Sequence, residues 1–240
     1  MRTKTLALLG AVAFLAIPRG ARAADLRAPA PVSPDAIARA ELAAARQSWA
    51  GAIAAYREAI AAQPQDATLQ NRLGMCYQRA GDANAARAAY RRALELRKDY
   101  PAAWNNLGTL DHARGKYKAA ISAYGRAIKL DARDAVYHKN LGSAWLARGD
   151  AGKALEAWTE ALRLDPVAFE ADAVKVPGAG LDFARQCYLV AKVFAARGDV
   201  EHALEYLTKA QAAGFTDFGR LERDRDFAAV LGDPRYAALR

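Results

Sequence analysis

A stretch near the middle of this 240-residue chain shows the pattern of apolar and polar positions that recurs along it. Trp104 and Leu107 lie three residues apart, which places them on one face of a helix. Gly115 then marks a helix end, because a left-handed backbone is readily adopted only by glycine. In the helix that follows, Ala120 is small where helices cross and Tyr124 fills the space beside it. No long segment alternates with a period of two, so the sequence predicts helical hairpins and no β-sheet.

The pattern recurs when the sequence is shifted by about 34 residues in either direction. Gly74 with Tyr90 repeats it on one side, and Gly142 with Trp158 repeats it on the other. Because a single hairpin cannot bury both of its faces, at least about three hairpins must stack to form a core. Five are predicted, near residues 35–66, 67–100, 101–134, 135–166 and 184–216, with an insertion at 167–183 and a cap at 217–240.

These hairpins share a motif with a known family. In the middle hairpin the motif residues are Trp104, Leu107, Gly108, Ala120, Tyr124 and Ala127. They resemble the tetratricopeptide repeat (TPR), whose pattern is W-x2-L-G-x2-Y…A-x3-F…P. The resemblance implies an all-α fold, a right-handed superhelical α-solenoid of about five hairpins with short C-terminal capping helices. Residues 214–240 also resemble a segment that often closes bacterial TPR arrays, and Phe227, Leu231, Tyr236 and Leu239 are expected to cover the last repeat.

Asp111 departs from the motif, which has tyrosine at this normally packed position. A carboxylate here either reaches solvent or finds a cation such as Arg114 or Lys116, because a buried unpaired charge is costly. The residue types alone do not decide between the two.

The insertion at 167–183 contains Pro177-Gly178-Ala179-Gly180, which excludes a helix interior. Two interpretations stay open. The segment is a tolerated surface loop, or Phe169, Val174 and Val176 fold against the groove or contact a partner.

The first 23 residues have the features of a secretory signal peptide. Arg2 and Lys4 precede the uncharged apolar stretch Leu6–Ile17, and Ala21-Arg22-Ala23 offers a cleavage site after Ala23. This apolar stretch is short against the roughly 20 residues that span a bilayer, which disfavours a permanent anchor. We expect an exported protein, periplasmic or secreted, with a Pro/Ala-rich flexible leader at 24–34 and no integral membrane span after cleavage.

The sequence offers little that performs catalysis. It has no Gly-rich phosphate loop, no His-Glu-x-x-His motif and no nucleophile paired with a base. His138 stands at the position of the motif tryptophan and is interpreted as a packed residue. Cys76 and Cys187 are separated by several stacked helices, so we predict buried free thiols. We expect no enzyme, no cofactor and no metal site, and the formal charge of +9, partly carried by the N-terminal segment, does not indicate nucleic-acid binding.

The TPR resemblance implies that the first helix of each hairpin lines a concave groove, in which a peptide or helix of a partner protein binds. Asparagine carries both a donor and an acceptor, so a row of asparagines would suit a peptide backbone of any sequence. Alternatively, Asn106 and Asn140 are simply common repeat residues. The candidate groove residues are Asn71, Arg72, Met75, Gln78, Arg79, Asn105, Asn106, Thr109, His112, Lys139, Asn140, Ser143, Arg185 and Lys192.

Two features bear on the groove's ligand. The carboxylate clamp of some TPR domains is absent, because Met75 and Val136 replace two of its polar groups. Arg185 and Lys192 make the C-terminal end of the groove basic, which mildly favours an acidic peptide.

The sequence therefore predicts a non-enzymatic scaffold or adaptor for a protein or peptide partner, in cell-envelope assembly. The alternative is a peripheral binder of anionic lipid headgroups or cell-wall polymer, through cations of the second helices. An ordinary solvated face would carry the same cations. They are Arg91, Arg92, Arg97, Lys98, Arg126, Lys129 and Arg133.

Overall fold

The computed structural model describes residues 34–169 and 180–239, and every regular element within them is helical. The predicted all-α array of hairpins is confirmed. Five hairpins follow one another along the chain. They are α1 (Pro34–Ala45) with α2 (Trp49–Ala62), α3 (Ala67–Arg79) with α4 (Ala83–Leu96), α5 (Pro101–Ala113) with α6 (Tyr117–Leu130), α7 (Ala135–Ala147) with α8 (Ala151–Leu164), and α9 (Gly180–Ala196) with α10 (Val200–Ala212).

Short helices close the C-terminal end of the array. Asp233 Oδ1 accepts a hydrogen bond from the backbone N–H of Arg235 at 2.9 Å, which starts the last of them. Phe227, Tyr236 and Leu239 are buried in the core cluster that α9 and α10 form, as expected from the sequence. The elements are α11 (Phe218–Glu222), a 3-10 helix (Arg225–Phe227), α12 (Ala228–Leu231) and a second 3-10 helix (Pro234–Leu239).

Left-handed residues close the hairpin turns. Gly115 has a φ of +70°, which confirms the prediction for this residue, and Gly81, Gly149 and Gly198 have positive φ as well. In the first hairpin the corresponding residue is Gln47, with a φ of 57°. A side chain at this φ is disfavoured, because Cβ approaches the following carbonyl oxygen.

Glycines also permit the close crossing of the two helices in a hairpin. A Cβ added at Gly108 would lie 2.7 Å from Cε1 of Tyr124, which is closer than real Cβ atoms come to a neighbouring carbon. Gly74 stands in the same relation to Tyr90, and Gly142 to Trp158. The pairing of glycine with an aromatic ring therefore sets the distance between the helices.

The first helices form one layer of the array and the second helices another. α3 contacts α5 directly, and α5 contacts α7, whereas no comparably close contact joins α4 to α6 or α6 to α8. Because the first helices approach one another more closely, they lie on the inner side of the curved array. None of the helices in the described ranges is both long and apolar enough to cross a bilayer.

The two cysteines are buried and free, as the sequence predicted. Burial raises the pKa of both thiols, that of Cys187 to about 11. Each thiol is therefore protonated near neutral pH, which makes it a poor nucleophile.

Several predictions concern residues outside the described ranges. These are the signal peptide (1–23), the leader except for Pro34, which begins α1, and Val174 and Val176 of the insertion. Phe169, at the start of the insertion, is buried, and its ring centroid lies 6.0 Å from that of Trp158. α9 begins at Gly180, whereas the fifth repeat was placed near 184–216.

Candidate functional site

Asparagines link successive first helices on the inner layer. Asn106 Nδ2 donates to Asn71 Oδ1 at 3.0 Å, and Asn140 Nδ2 donates to Asn105 Oδ1 at 2.9 Å. Asn71 and Asn105 are buried, with exposed fractions of 4% and 9%, whereas Asn106 and Asn140 are half-buried. The predicted row of asparagines thus exists, but part of its hydrogen-bonding capacity joins the repeats to one another.

The N-terminal part of the inner layer is a partly apolar cleft of about 430 Å³. Met75 projects into solvent with 47% of its surface exposed, and Trp49 and Tyr56 line the cleft beside it. Arg72 is ion-paired with Glu41 of α1, and both side chains are about half exposed. Arg79, which was also predicted, lines the cleft. Gln78 instead accepts a hydrogen bond from Tyr90 OH at 2.8 Å.

Hydroxyl groups in the middle of the inner layer bond mainly to the protein itself. Thr109 Oγ1 donates to the carbonyl of Asn105 at 3.1 Å and accepts from Tyr124 OH at 3.3 Å. Ser143 Oγ donates to the carbonyl of Lys139 at 3.2 Å. Burial raises the pKa of Tyr124 to about 12, and the hydrogen bond to Thr109 only partly opposes this shift.

A cationic cleft of about 530 Å³ lies at the C-terminal end of the inner layer, between α5, α7 and α9. His112, Ser143 and Arg185 of the predicted set line it, and Arg148 joins them. His112 Nε2 is buried and has no hydrogen-bond partner among the described residues. Among the residues that the structure describes, no acidic side chain lines the cleft, so this lining favours an anionic group.

Arg148 was not predicted from the sequence. It follows the last residue of α7 and precedes the left-handed Gly149, so it lies outside the motif positions that face the groove. Its guanidinium lies 5.3 Å from the centroid of the Trp145 ring. In the sequence, Arg148 could have been identified as a cation that directly precedes a turn glycine.

Besides Arg72, two predicted groove cations, Lys139 and Lys192, are bound by the protein itself. Lys139 Nζ donates to the carbonyl of Ala168 at 3.0 Å and lies 5.8 Å from the Phe169 ring centroid. The segment that begins the insertion therefore reaches a residue of the inner layer.

Lys192 is ion-paired with Asp224 and Asp226 of the cap, the latter at 3.2 Å. Burial alone would lower the pKa of Lys192, but the hydrogen bonds to the two carboxylates outweigh it and raise the pKa. The basic character expected at this end of the groove thus comes from Arg185 and Arg148 rather than from Lys192.

Asp111 has a partner that neither sequence-based alternative named. It is buried, with 5% of its surface exposed, and forms an ion pair with Arg87 of α4. Arg87 belongs to the preceding repeat, so the pair joins two hairpins. Arg114, one of the cations considered from the sequence, donates to Asn84 Oδ1 at 2.6 Å instead.

The described residues contain no group of three or more His, Cys, Asp or Glu side chains placed to hold a metal ion. His138, at the motif tryptophan position, bonds through Nε2 to the carbonyl of Ala132 at 3.1 Å. Trp104 Nε1 donates in the same way to the carbonyl of Lys98 at 2.9 Å. His138 thus takes over the hydrogen bond of the motif tryptophan.

Comparison with known families and structures agrees with this architecture. Residues 65–133 and residues 105–169 each match a sequence model described as tetratricopeptide repeat. A comparison with curated protein sequences gave no significant match.

Solved structures of similar fold share little sequence with this chain. Pseudomonas aeruginosa pilF is 19% identical, with a TM-score of 0.57, and the match covers 81% of this chain and 86% of that one. MamA from Desulfovibrio magneticus RS-1 is 18% identical, with a TM-score of 0.55 and coverages of 80% and 99%. YrrB, described as a TPR protein with an unusual peptide-binding site, is 21% identical, with a TM-score of 0.51 and coverages of 78% and 89%. At this identity the likeness shows the fold alone.

Proposed function

Because residues 65–169 contain tetratricopeptide repeats, we propose that this chain is a non-catalytic adaptor that holds a segment of a partner protein against its first helices. The observation that carries the proposal is the inner layer itself. It presents half-buried amides between an apolar cleft at one end and a cationic cleft at the other. The fold relative YrrB is described as having a peptide-binding site, which supports a peptide as the ligand.

The amides of Asn106 and Asn140 would contact the backbone of the bound segment. One N–H of each amide donates a hydrogen bond to the preceding repeat, and the carbonyl oxygen and second N–H remain for a ligand. These groups recognise a peptide backbone without regard to its side chains. The two clefts then supply the selectivity.

The clefts favour a segment with an apolar residue at one end and an acidic residue at the other. Neighbouring helices pack roughly 8–10 Å apart, so the path from α3 to α9 is about 25–30 Å long. An extended chain advances about 3.3 Å per residue, and about eight residues therefore span the path. The apolar residue would lie beside Met75 and the acidic residue beside Arg148 and Arg185.

Site-specific crosslinking tests this proposal. A photo-crosslinking amino acid is placed at Met75 or Ser143 on the inner layer, or, as controls, at Arg57 of α2 or Thr159 of α8, which are exposed residues of second helices. We expect a discrete crosslinked partner from the inner positions in native cells, reduced when Arg185→Glu is added. Crosslinks that form only from the control positions would contradict the proposal.

We propose further that the adaptor works outside the cytoplasm, in the cell envelope. The proposal rests on Arg2 and Lys4, the apolar stretch Leu6–Ile17 and the small residues that precede Ala24. Fractionation of a bacterium that expresses the full chain with a C-terminal tag tests it. We expect a periplasmic or secreted product whose N-terminal sequence begins at Ala24; an intact cytoplasmic chain would argue against export.

A further inference from the structure

A second groove opens on the outer side of the array, between two second helices. It runs between the C-terminal halves of α4 and α6, with the N-terminal half of α5 beneath it, and has a volume of about 760 Å³. Leu94, Trp104 and Leu107 line its floor, and Leu130, with 44% of its surface exposed, lines one edge. We call this groove the α4–α6 slot.

Four cations surround this apolar floor, namely Arg91, Lys98, Arg126 and Lys129. None of them has an ion-pair partner in the described part of the chain. Arg126 is held over the floor, with its guanidinium carbon 4.4 Å from the centroid of the Trp104 ring. Glu95 is the one carboxylate among the described residues that line the slot, and it is bound to Arg92 at 3.0 Å. The rim therefore carries an uncompensated positive charge.

The chain provides its own comparison, because the same positions recur in neighbouring repeats. One repeat earlier, in α4, the two rim cations of α6 are replaced by Arg92 and Glu95, which neutralise each other. One repeat later, in α8, they are replaced by Glu160 and Arg163, which form an ion pair of 2.6 Å. Of the described helices α4, α6 and α8, only α6 carries an unpaired positive charge at both positions.

The floor of the slot differs from its neighbours as well. The position of Trp104 is taken by Gln70 one repeat earlier and by His138 one repeat later. An aromatic floor and an unpaired cationic rim therefore coincide at one place in the array. Trp104 is a motif residue that also packs within its own repeat, but the adjacent repeats stack without this combination of floor and rim.

We propose that the α4–α6 slot is a second docking site, which takes a short amphipathic helix of a partner protein whose apolar ridge is flanked by acidic residues. The ridge would pack on Trp104 and Leu107, and carboxylates on both sides of it would pair with the rim cations. α4 contributes residues 91–95 to the slot and α6 contributes residues 126–130, a length of about 7.5 Å each at 1.5 Å per residue, and Lys98 of the turn after α4 extends the slot. The slot therefore accommodates roughly one and a half helical turns.

The shape of the slot favours a helix over a lipid surface. Its apolar groups are recessed between two helices, and only Leu130 projects. A bilayer is flat on this scale and binds apolar groups that protrude into it. A helix ridge, in contrast, enters such a groove in the way that amphipathic helices bind other proteins.

Three synthetic peptides test the proposal with the full chain. Each forms an amphipathic helix with the same leucine ridge, and they differ only in having Glu, Gln or Lys at the flanking positions. Fluorescence anisotropy at low salt should show the tightest binding for the Glu peptide, weakening as salt is added. Equal binding of the Glu and Lys peptides, or no saturable binding of the Glu peptide, would overturn the proposal.

Lys129→Glu is the informative variant, because the new carboxylate can pair with Arg126 in α6 as Glu95 pairs with Arg92 in α4. We expect it to weaken binding of the Glu peptide roughly fivefold to tenfold, the size of one reversed charge contact. Lys118→Glu makes the same change of net charge elsewhere on α6 and should stay within about twofold. Equal losses for the two variants would mean that net charge, not the slot, controls binding.

The apolar contact and the nature of the ligand are tested separately. Leu130→Gln should weaken binding of the Glu peptide, whereas Leu42→Gln, at another exposed leucine, should not. Arg185→Glu, in the inner cleft, should leave the peptide titration unchanged, which separates this site from the proposed groove function. Binding to phosphatidylglycerol vesicles that is lost in Lys129→Glu, without binding of the peptide, would assign the slot to a membrane and overturn the proposal.

Discussion

At the scale of single residues, Gln47 is the exception among the hairpin turns. Four hairpins have glycine with positive φ at this position, whereas Gln47 adopts a φ of 57° with a side chain. Gln47→Gly should therefore raise the free energy of unfolding by about 1 kcal/mol, measured by urea denaturation. Gln63→Gly, at a residue with a φ of −126°, is the control and should not stabilise. A destabilised Gln47→Gly variant would show that the turn is not strained.

Burial distinguishes two tryptophans that occupy different motif positions. Trp158 is fully buried against Gly142, so Trp158→Ala should cost about 3–5 kcal/mol of unfolding free energy. Trp104 is only half-buried at the floor of the slot, so Trp104→Ala should cost less, roughly 1–3 kcal/mol. Thermal and urea melts of both variants check the order, and the reverse order would contradict the repeat register.

The buried ion pair of Asp111 and Arg87 makes a third prediction at this scale. Arg87→Met removes one partner and leaves a buried carboxylate, so it should cost about 3–5 kcal/mol. Arg114→Met breaks an exposed contact to Asn84 and should cost less than about 1 kcal/mol. Equal effects in chemical denaturation would mean that Asp111 reaches solvent.

Asp111 also shows the limit of what could be read from residue types. Its departure from the motif was visible in the sequence, but its partner belongs to another repeat. The cations nearest along the chain, Arg114 and Lys116, were the natural candidates. Arg87 is far away in sequence and close only because the hairpins stack, which the motif does not encode for individual side chains.

At the scale of helices and hairpins, the repeat pattern was sufficient. Glycine followed by an aromatic residue in the next helix predicted the crossing in the three middle hairpins, as at Gly108 and Tyr124, because only a missing side chain permits that distance. The candidate groove was harder to predict. Its positions follow from the resemblance, but whether Asn71 faces a ligand or the next repeat depends on the exact stacking of α3 on α5.

Ionisation of Tyr124, which packs at the crossing of α5 and α6, makes the stability of the protein depend on pH. Burial raises its pKa to about 12, whereas an unfolded tyrosine ionises near about 10. The stabilisation is complete below about pH 10 and is lost as the pH rises toward 12, because the unfolded state releases its proton first. The free energy of unfolding, measured by urea titration at each pH, should therefore fall less between pH 9 and about 12 for Tyr124→Phe than for the parent chain. Parallel curves would contradict the assigned burial.

At the scale of the whole molecule, the C-terminal segment closes the exposed end of the last hairpin. Tyr188 of α9 is stacked against Phe215 and Phe227, with ring centroids 4.8 and 5.7 Å from its own. Phe227→Ala should cost about 3–5 kcal/mol, since Phe227 is fully buried. Hydrogen exchange should then increase in α9 and α10 but not in α3–α6, because repeats contact only their neighbours. Uniformly faster exchange would indicate that the array unfolds as one unit.

The asparagine bridges between successive first helices have a mechanical consequence. A coiled array resembles a spring, and straightening it lengthens its inner edge, where the bridges Asn71–Asn106 and Asn105–Asn140 lie. Uncoiling therefore requires both side-chain bonds to break, while tighter winding does not stretch them. The array is stiffer toward extension than toward compression, and an arriving partner meets a curvature that is already set.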